Sequence, residues 1–139
     1  MKSESSKLNV FVYGTLKPGE ANFAAYCQGK IRSQIPAYTR GELYALPLGY
    51  PALTEGKNKI QGVVLTLNDV SALENFDRLE GYQPNRANDL NEYFRTMVTV
   101  YDASDRPIGQ AWAYQMTQEQ IKQYQGMKVD SGCWTGKNC

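Results

Sequence analysis

The stretch Ile60-Gln61-Gly62-Val63-Val64-Leu65-Thr66-Leu67-Asn68-Asp69-Val70-Ser71-Ala72-Leu73-Glu74-Asn75-Phe76-Asp77-Arg78-Leu79-Glu80-Gly81 changes its period halfway. Up to Leu67 it is rich in valine and leucine, and Val63 to Leu67 is the most strand-like run of the chain, which predicts a central strand. From there apolar residues recur every third position, at Val70, Leu73, Phe76 and Leu79, behind the N-cap types Asn68 and Asp69. A helix is predicted, starting between 68 and 71 because Ser71-Ala72-Leu73-Glu74 also fits a capping box, and stopping at Gly81.

Upstream, Ile31 to Thr39, Glu42 to Leu46, Tyr50 to Thr54 and Ile60 to Leu67 read as short strands, punctuated by Pro36, Gly41, Pro47-Leu48-Gly49, Pro51 and Gly56. Consecutive strands of this kind imply antiparallel pairing. Within Glu20 to Lys30, residues Phe23, Ala24, Tyr26 and Cys27 make one apolar stripe before Gly29, which predicts a short helix. Downstream, Tyr82 to Asn91 is polar and reads as a loop. Tyr93 to Tyr101 and Ile108 to Met116 alternate and make a hairpin, and Glu119 to Tyr124 is amphipathic. The expected class is α+β: a small mixed, mostly antiparallel β-barrel with two or three short helices, closure being inferred from strand number.

The chain has 139 residues, a size for one domain, with residues 1–7 and the last few expected to be flexible. Its 15 basic and 14 acidic residues are scattered singly, so no stripe exists to grip a phosphate backbone, and nucleic acid is not an expected partner. The apolar run after Lys7 is too short for a signal-peptide core or a membrane span, so a cytoplasmic protein with no membrane partner is expected. Cys27, Cys133 and Cys139 form no C-x-x-C pair and read as ordinary thiols, a Cys133–Cys139 bridge being the alternative. Histidine is absent, which removes His-based triads, His-ligated zinc and imidazole acid–base chemistry. Carboxylates, tyrosines, lysines and thiols are left as catalysts.

Two segments carry chemistry. Leu8-Asn9-Val10-Phe11-Val12 reads as a strand that runs into the turn Tyr13-Gly14-Thr15-Leu16-Lys17-Pro18-Gly19, followed by helix-forming residues. Backbone N–H groups at such a turn lack intrachain partners and can converge on a carboxylate or phosphate. The second segment, Phe76-Asp77-Arg78-Leu79-Glu80-Gly81-Tyr82, sets a carboxylate at a helix C-terminus. The helix dipole there, with partial burial, raises a glutamate pKa and suits Glu80 to acid–base work.

Five motifs in order, Val12-Tyr13-Gly14-Thr15-Leu16 with Pro18-Gly19, Gly41-Glu42-Leu43-Tyr44, Asp77-x-x-Glu80-Gly81-Tyr82, Tyr93-x-Arg95 and Ala111-Trp112-x-Tyr114, span nearly the whole chain. Together they resemble the gamma-glutamylcyclotransferase-like family, in its gamma-glutamylamine cyclotransferase or AIG2-like branch. The resemblance implies a small β-barrel whose Tyr13-Gly14-Thr15-Leu16 loop and Glu80 flank one cavity, with Tyr93 as a further cavity residue. It also implies a cofactor-independent enzyme, without metal, that cyclises a small-molecule gamma-glutamyl substrate to 5-oxoproline and a free amine or amino acid. Trp112 reads as core, and Arg95 stays open between a solvated charge and the partner of an acid. The tail Ser131-Gly132-Cys133-Trp134 resembles that of some bacterial members in which an acid stands at the position of Cys133; Cys133 reads as structural.

The chemistry also follows from the substrate. Attack of an alpha-amine on its own gamma-carbonyl closes a five-membered ring, so a bent pose supplies much of the catalysis, and one carboxylate can take the amine proton and return it to the leaving nitrogen. In that scheme the Gly14 to Leu16 amides hold the alpha-carboxylate. The alternative is a non-catalytic protein that binds a small carboxylate in the same cradle. Specificity in either case belongs to pocket walls from Tyr44 to Pro51 and Tyr82 to Tyr93.

Overall fold

The computed structural model describes residues 8–134. Its elements are strand β1 (Asn9–Val12), helix α1 (Phe23–Cys27), strands β2 (Ile31–Ala45) and β3 (Pro51–Leu67), and helix α2 (Val70–Leu79). A 3-10 turn (Asn88–Leu90) then precedes strands β4 (Phe94–Tyr101) and β5 (Pro107–Gln115), helix α3 (Gln118–Gln123) and strand β6 (Met127–Lys128).

The four short strands read between Ile31 and Leu67 are two long ones. Glycines 41 and 56 sit at a register shift of the β2–β3 ladder, where Gly41 pairs with Asn58 but Glu42 pairs with Thr54. They bend the strands and do not end them, as glycine at a bulge does. A Cβ on Gly56 would lie 2.4 Å from Glu42 Cγ and 2.7 Å from the Gly41 carbonyl carbon, so the bulge requires glycine by close approach. The helix predicted across Glu20 to Lys30 shrinks to five residues, because turns closed by Glu20 N–H to Lys17 O and Asn22 N–H to Thr15 O occupy its first part.

The strands do not form the expected barrel. They make one six-stranded mixed sheet in the order β1-β3-β5-β4-β2-β6, with additional β1–β5 and β3–β2 pairings. The long ladders are β2–β3 and β4–β5. The β1–β5, β2–β4 and β3–β5 seams are each recorded by a single residue pair, Val10 with Trp112, Tyr38 with Tyr101 and Leu53 with Gln115. One pair per seam, two of them parallel, does not carry a continuous ladder around the sheet, and strand number alone could not reveal this. The α+β class stands as expected, and the described residues hold three short helices, within the two or three expected.

Both faces of the sheet are covered. Val10 and Val12 of β1 enter one apolar cluster with Leu65 and Leu67 of β3, Leu73 and Phe76 of α2, and Ile121 of α3. The alternate residues Phe11 and Tyr13 enter the other, with Leu43, Leu53, Ile60 and Val100. A strand buried on both faces loses its polar alternation, which is why Val10 to Val12 read as an unbroken apolar run. Cys27 is a free, buried thiol. Cys133, read as an ordinary thiol, is disulfide-bonded. Cys139 and the ends expected to be flexible lie outside the described residues.

Candidate active site

Helix α2 places Glu80 by its caps. Asp69 accepts the Ala72 N–H at 3.1 Å at the start. At the other end Glu80 is the C-cap and Gly81 adopts φ 68°, while Gly81 N–H bonds Arg78 O (3.3 Å) and Tyr82 N–H bonds Asp77 O (2.9 Å). This is the paired bonding of a Schellman end, which needs a left-handed residue and therefore favours glycine. The return of the chain is fixed too, since Glu92 N–H reaches Gly81 O at 3.3 Å and Tyr93 N–H reaches Glu80 O at 3.1 Å.

The last turn of α2 is also tied to the sheet through its side chains. Asp77 Oδ1 accepts from Arg95 Nε at 2.9 Å and from the Tyr114 hydroxyl at 2.6 Å. The Arg95 guanidinium lies 4.3 Å from the Trp112 ring centroid and 5.3 Å from that of Tyr82. Arg95 is thus the partner of an acid, and Trp112 is a half-buried platform for it beside the core.

A cavity of about 240 Å³ opens where α2 ends against β1. The turn after β1 gives it Tyr13, Gly14, Thr15 and Leu16. The end of α2 gives Leu79 and its C-cap Glu80, the β2–β3 turn gives Tyr50, and the start of β3 gives Pro51. Glu92 and Tyr93 come from the segment before β4 and Tyr114 from β5, with Asn22, Phe11 and Val12 completing the lining. All six residues singled out in the sequence, Tyr13, Gly14, Thr15, Leu16, Glu80 and Tyr93, line this one space.

Their geometry differs from the sequence reading in two respects. No helix N-terminus stands behind the turn, because α1 begins only at Phe23. The available amides are those of the turn itself: among the described residues, Gly14, Thr15 and Leu16 donate to no protein acceptor. Asn22 Nδ2 holds Thr15 Oγ1 at 2.9 Å and keeps the turn in shape. The two tyrosine hydroxyls, moreover, are consumed structurally. Tyr13 donates to the Tyr114 carbonyl and accepts the Leu53 N–H at 3.1 Å, while Tyr93 donates to Pro51 O at 2.6 Å. Burial pushes both phenols above the ordinary tyrosine range. They offer rings to the cavity, not protons.

Glu80 is partly buried, and its pKa is raised from 4.5 to about 8, first by burial and then by the negative charge of Glu92. Glu92 was not singled out in the sequence, nor was Tyr50, whose hydroxyl donates to Glu92 Oε2 at 2.6 Å. Only their positions inside the two expected wall segments pointed to them. No group of histidine, cysteine, aspartate and glutamate able to hold a metal occurs among the described residues.

The family model for gamma-glutamyl cyclotransferase, AIG2-like, matches residues 10–136. The chain belongs to this AIG2-like gamma-glutamyl cyclotransferase family. A Vibrio cholerae protein provisionally named a gamma-glutamylcyclotransferase is 34% identical over 125 residues, covering 90% of this chain and 93% of that protein. Among solved structures, a mouse AIG2-like protein matches with a TM-score of 0.71 at 20% identity, over 94% of this chain and 90% of its own, a likeness of fold. YkqA of Bacillus subtilis matches with a TM-score of 0.64 at 26% identity over 91% of this chain, which spans 39% of YkqA. Membership in the AIG2-like family supports a gamma-glutamylcyclotransferase type of reaction on a small gamma-glutamyl-type substrate.

Proposed function

We propose that the chain is a cofactor-independent cyclotransferase that converts a gamma-glutamyl amine or gamma-glutamyl amino acid to 5-oxoproline and the free amine, with Glu80 as its acid–base. The observation that carries this reading is the meeting of Glu80 with the unpaired amides of residues 14–16 around one cavity. The amides bind the substrate alpha-carboxylate, which sets the neighbouring alpha-amine toward Glu80. Ionised Glu80 takes a proton from the nitrogen as it bonds to the gamma-carbonyl carbon. The protonated acid then returns it to the leaving nitrogen as the old amide bond breaks, so charge and atoms balance within the site. A pKa near 8 favours both half-steps near neutrality, since neither form is scarce.

The test is release of 5-oxoproline from a panel of gamma-glutamyl amines and amino acids, across pH and with and without a chelator. Turnover that survives chelation and is lost in Glu80→Gln supports the proposal. Carboxylate binding with no 5-oxoproline from any panel member would move the chain to the binding reading, and loss of activity on chelation would refute the metal-free scheme.

A further inference from the structure

The tail motif Ser131-Gly132-Cys133-Trp134, singled out in the sequence, has no part in the proposed reaction. In the structure it is the end of a strap. Beyond β6, Val129 N–H reaches Leu43 O of β2 at 2.8 Å, and Gly132 O accepts the Gln61 N–H of β3 at 2.8 Å. Gly132 adopts φ 73°, and a Cβ there would collide with the Lys59 carbonyl oxygen, so the strap lies directly on the β3 backbone. Val129 and Trp134 pack against the apolar cluster that contains Tyr13, Leu43 and Ile60.

The strap ends against the turn that follows β1. Trp134 O accepts from Lys17 Nζ at 2.5 Å, a charge-assisted bond between residues 117 positions apart. Lys17 closes that turn, since its own N–H bonds Gly14 O at 3.0 Å. Gly14 is buried against both Pro51 and Trp134: a Cβ on it would lie 2.7 Å from Pro51 Cγ and 4.0 Å from Trp134 Cε3. Trp134 does not line the cavity, so any effect it has on a ligand passes through the turn.

The amides of residues 14–16 grip an anion only while they converge, and glycine is the least restrained backbone residue, so neighbours must hold its peptide planes. Asn22 holds Thr15. Pro51 and the strap hold the Gly14 and Lys17 corners. We propose that Trp134, tied to Lys17, is a positioning residue for substrate binding, which keeps the Gly14 to Lys17 turn in the shape its amides need to bind an alpha-carboxylate. This inference rests on the amide cradle of the proposed function and is independent of the chemistry at Glu80. A cradle that holds the carboxylate alike in ground and transition states sets KM and leaves kcat unchanged.

The test measures calorimetric affinity for 5-oxoproline together with KM and kcat on a gamma-glutamyl substrate. Trp134→Ala, which changes no charge, is expected to raise Kd and KM about tenfold with kcat within about twofold of the native chain. Trp134→Phe keeps a ring against Gly14 and returns both constants to within about threefold. Lys17→Met breaks the tie but leaves the ring, raises Kd by at least about threefold, and decides the matter should Trp134→Ala not fold. A purely structural role has a different signature: a partly unfolded population lowers kcat and the binding stoichiometry while KM and Kd stay native. That signature, or native constants in Trp134→Ala, overturns the proposal. A native chain that binds no 5-oxoproline removes the cradle and the proposal with it. Binding without turnover counts against the reaction at Glu80 alone, and the Kd values of the variants then uphold or overturn the role of Trp134.

Discussion

The Tyr114 hydroxyl donates to Asp77 Oδ1 at 2.6 Å, joining the middle of the sheet to the turn of α2 that ends in Glu80. The same oxygen accepts from Arg95. One carboxylate, three residues before Glu80, therefore fixes the direction in which the helix delivers it.

Replacing Asp77 by Ala leaves the Arg95 guanidinium, itself largely buried, without its acid and the Tyr114 hydroxyl without its acceptor. The expected loss is about 2–4 kcal/mol in urea unfolding, against about 1 kcal/mol for Tyr114→Phe, which removes one neutral donor. A loss below 1 kcal/mol for Asp77→Ala would mean that this network does not hold the helix end.

Glu80→Gln preserves shape but cannot exchange protons. Turnover on a confirmed substrate is expected to fall by about 10²–10⁴-fold with the fold retained, as checked by near-UV circular dichroism. A fall of less than about tenfold would place the base elsewhere.

The pKa of Glu80 sets two pH responses. Because it rises from 4.5 to about 8 on folding, the folded chain holds this proton more tightly than the unfolded one. Its stabilising contribution is thus full below 4.5 and is lost as pH climbs through 8, with a slope of at most about 1.4 kcal/mol per pH unit. Glu80→Gln removes that decline, so the stability of the variant relative to the native chain increases between pH 5 and 9 in denaturant titrations. Activity runs the other way: kcat/KM rises toward pH 8 as Glu80 ionises, and a flat profile from pH 6 to 9 would exclude it as the base.

Gly14 is required by space and not by backbone angle. Its φ is not left-handed, but a Cβ there would lie 2.7 Å from Pro51 Cγ and 2.9 Å from Pro51 Cδ. Gly14→Val is expected to lose about 1–3 kcal/mol of stability and most affinity for 5-oxoproline by pushing the turn off Pro51. Native affinity by calorimetry would show that the amides of this turn do not hold the ligand.

Much of this protein was legible in its sequence wherever the signal is local. The period change around Asn68 announced α2 and Gly81 its end, whereas only the family resemblance implied that Tyr13-Gly14-Thr15-Leu16 and Glu80 flank one cavity. The period and the helix stop depend on residues within one turn of each other. What required the tertiary structure is whatever depends on partners far apart in the chain. Gly41 and Gly56 look alike as breakers, and only their pairing across the hairpin makes them a bend in continuous strands. Arg95 and Asp77, 18 residues apart, become an ion pair only when β4 passes the end of α2. Tyr50 and Glu92, 42 residues apart, are ordinary loop residues in sequence and become a hydrogen-bonded pair in the cavity lining only through chain closure. The sequence determined which chemical groups the chain owns; burial and the approach of distant segments decided their charge, because the field at Glu80 comes from desolvation and from a carboxylate that folding alone brings near it.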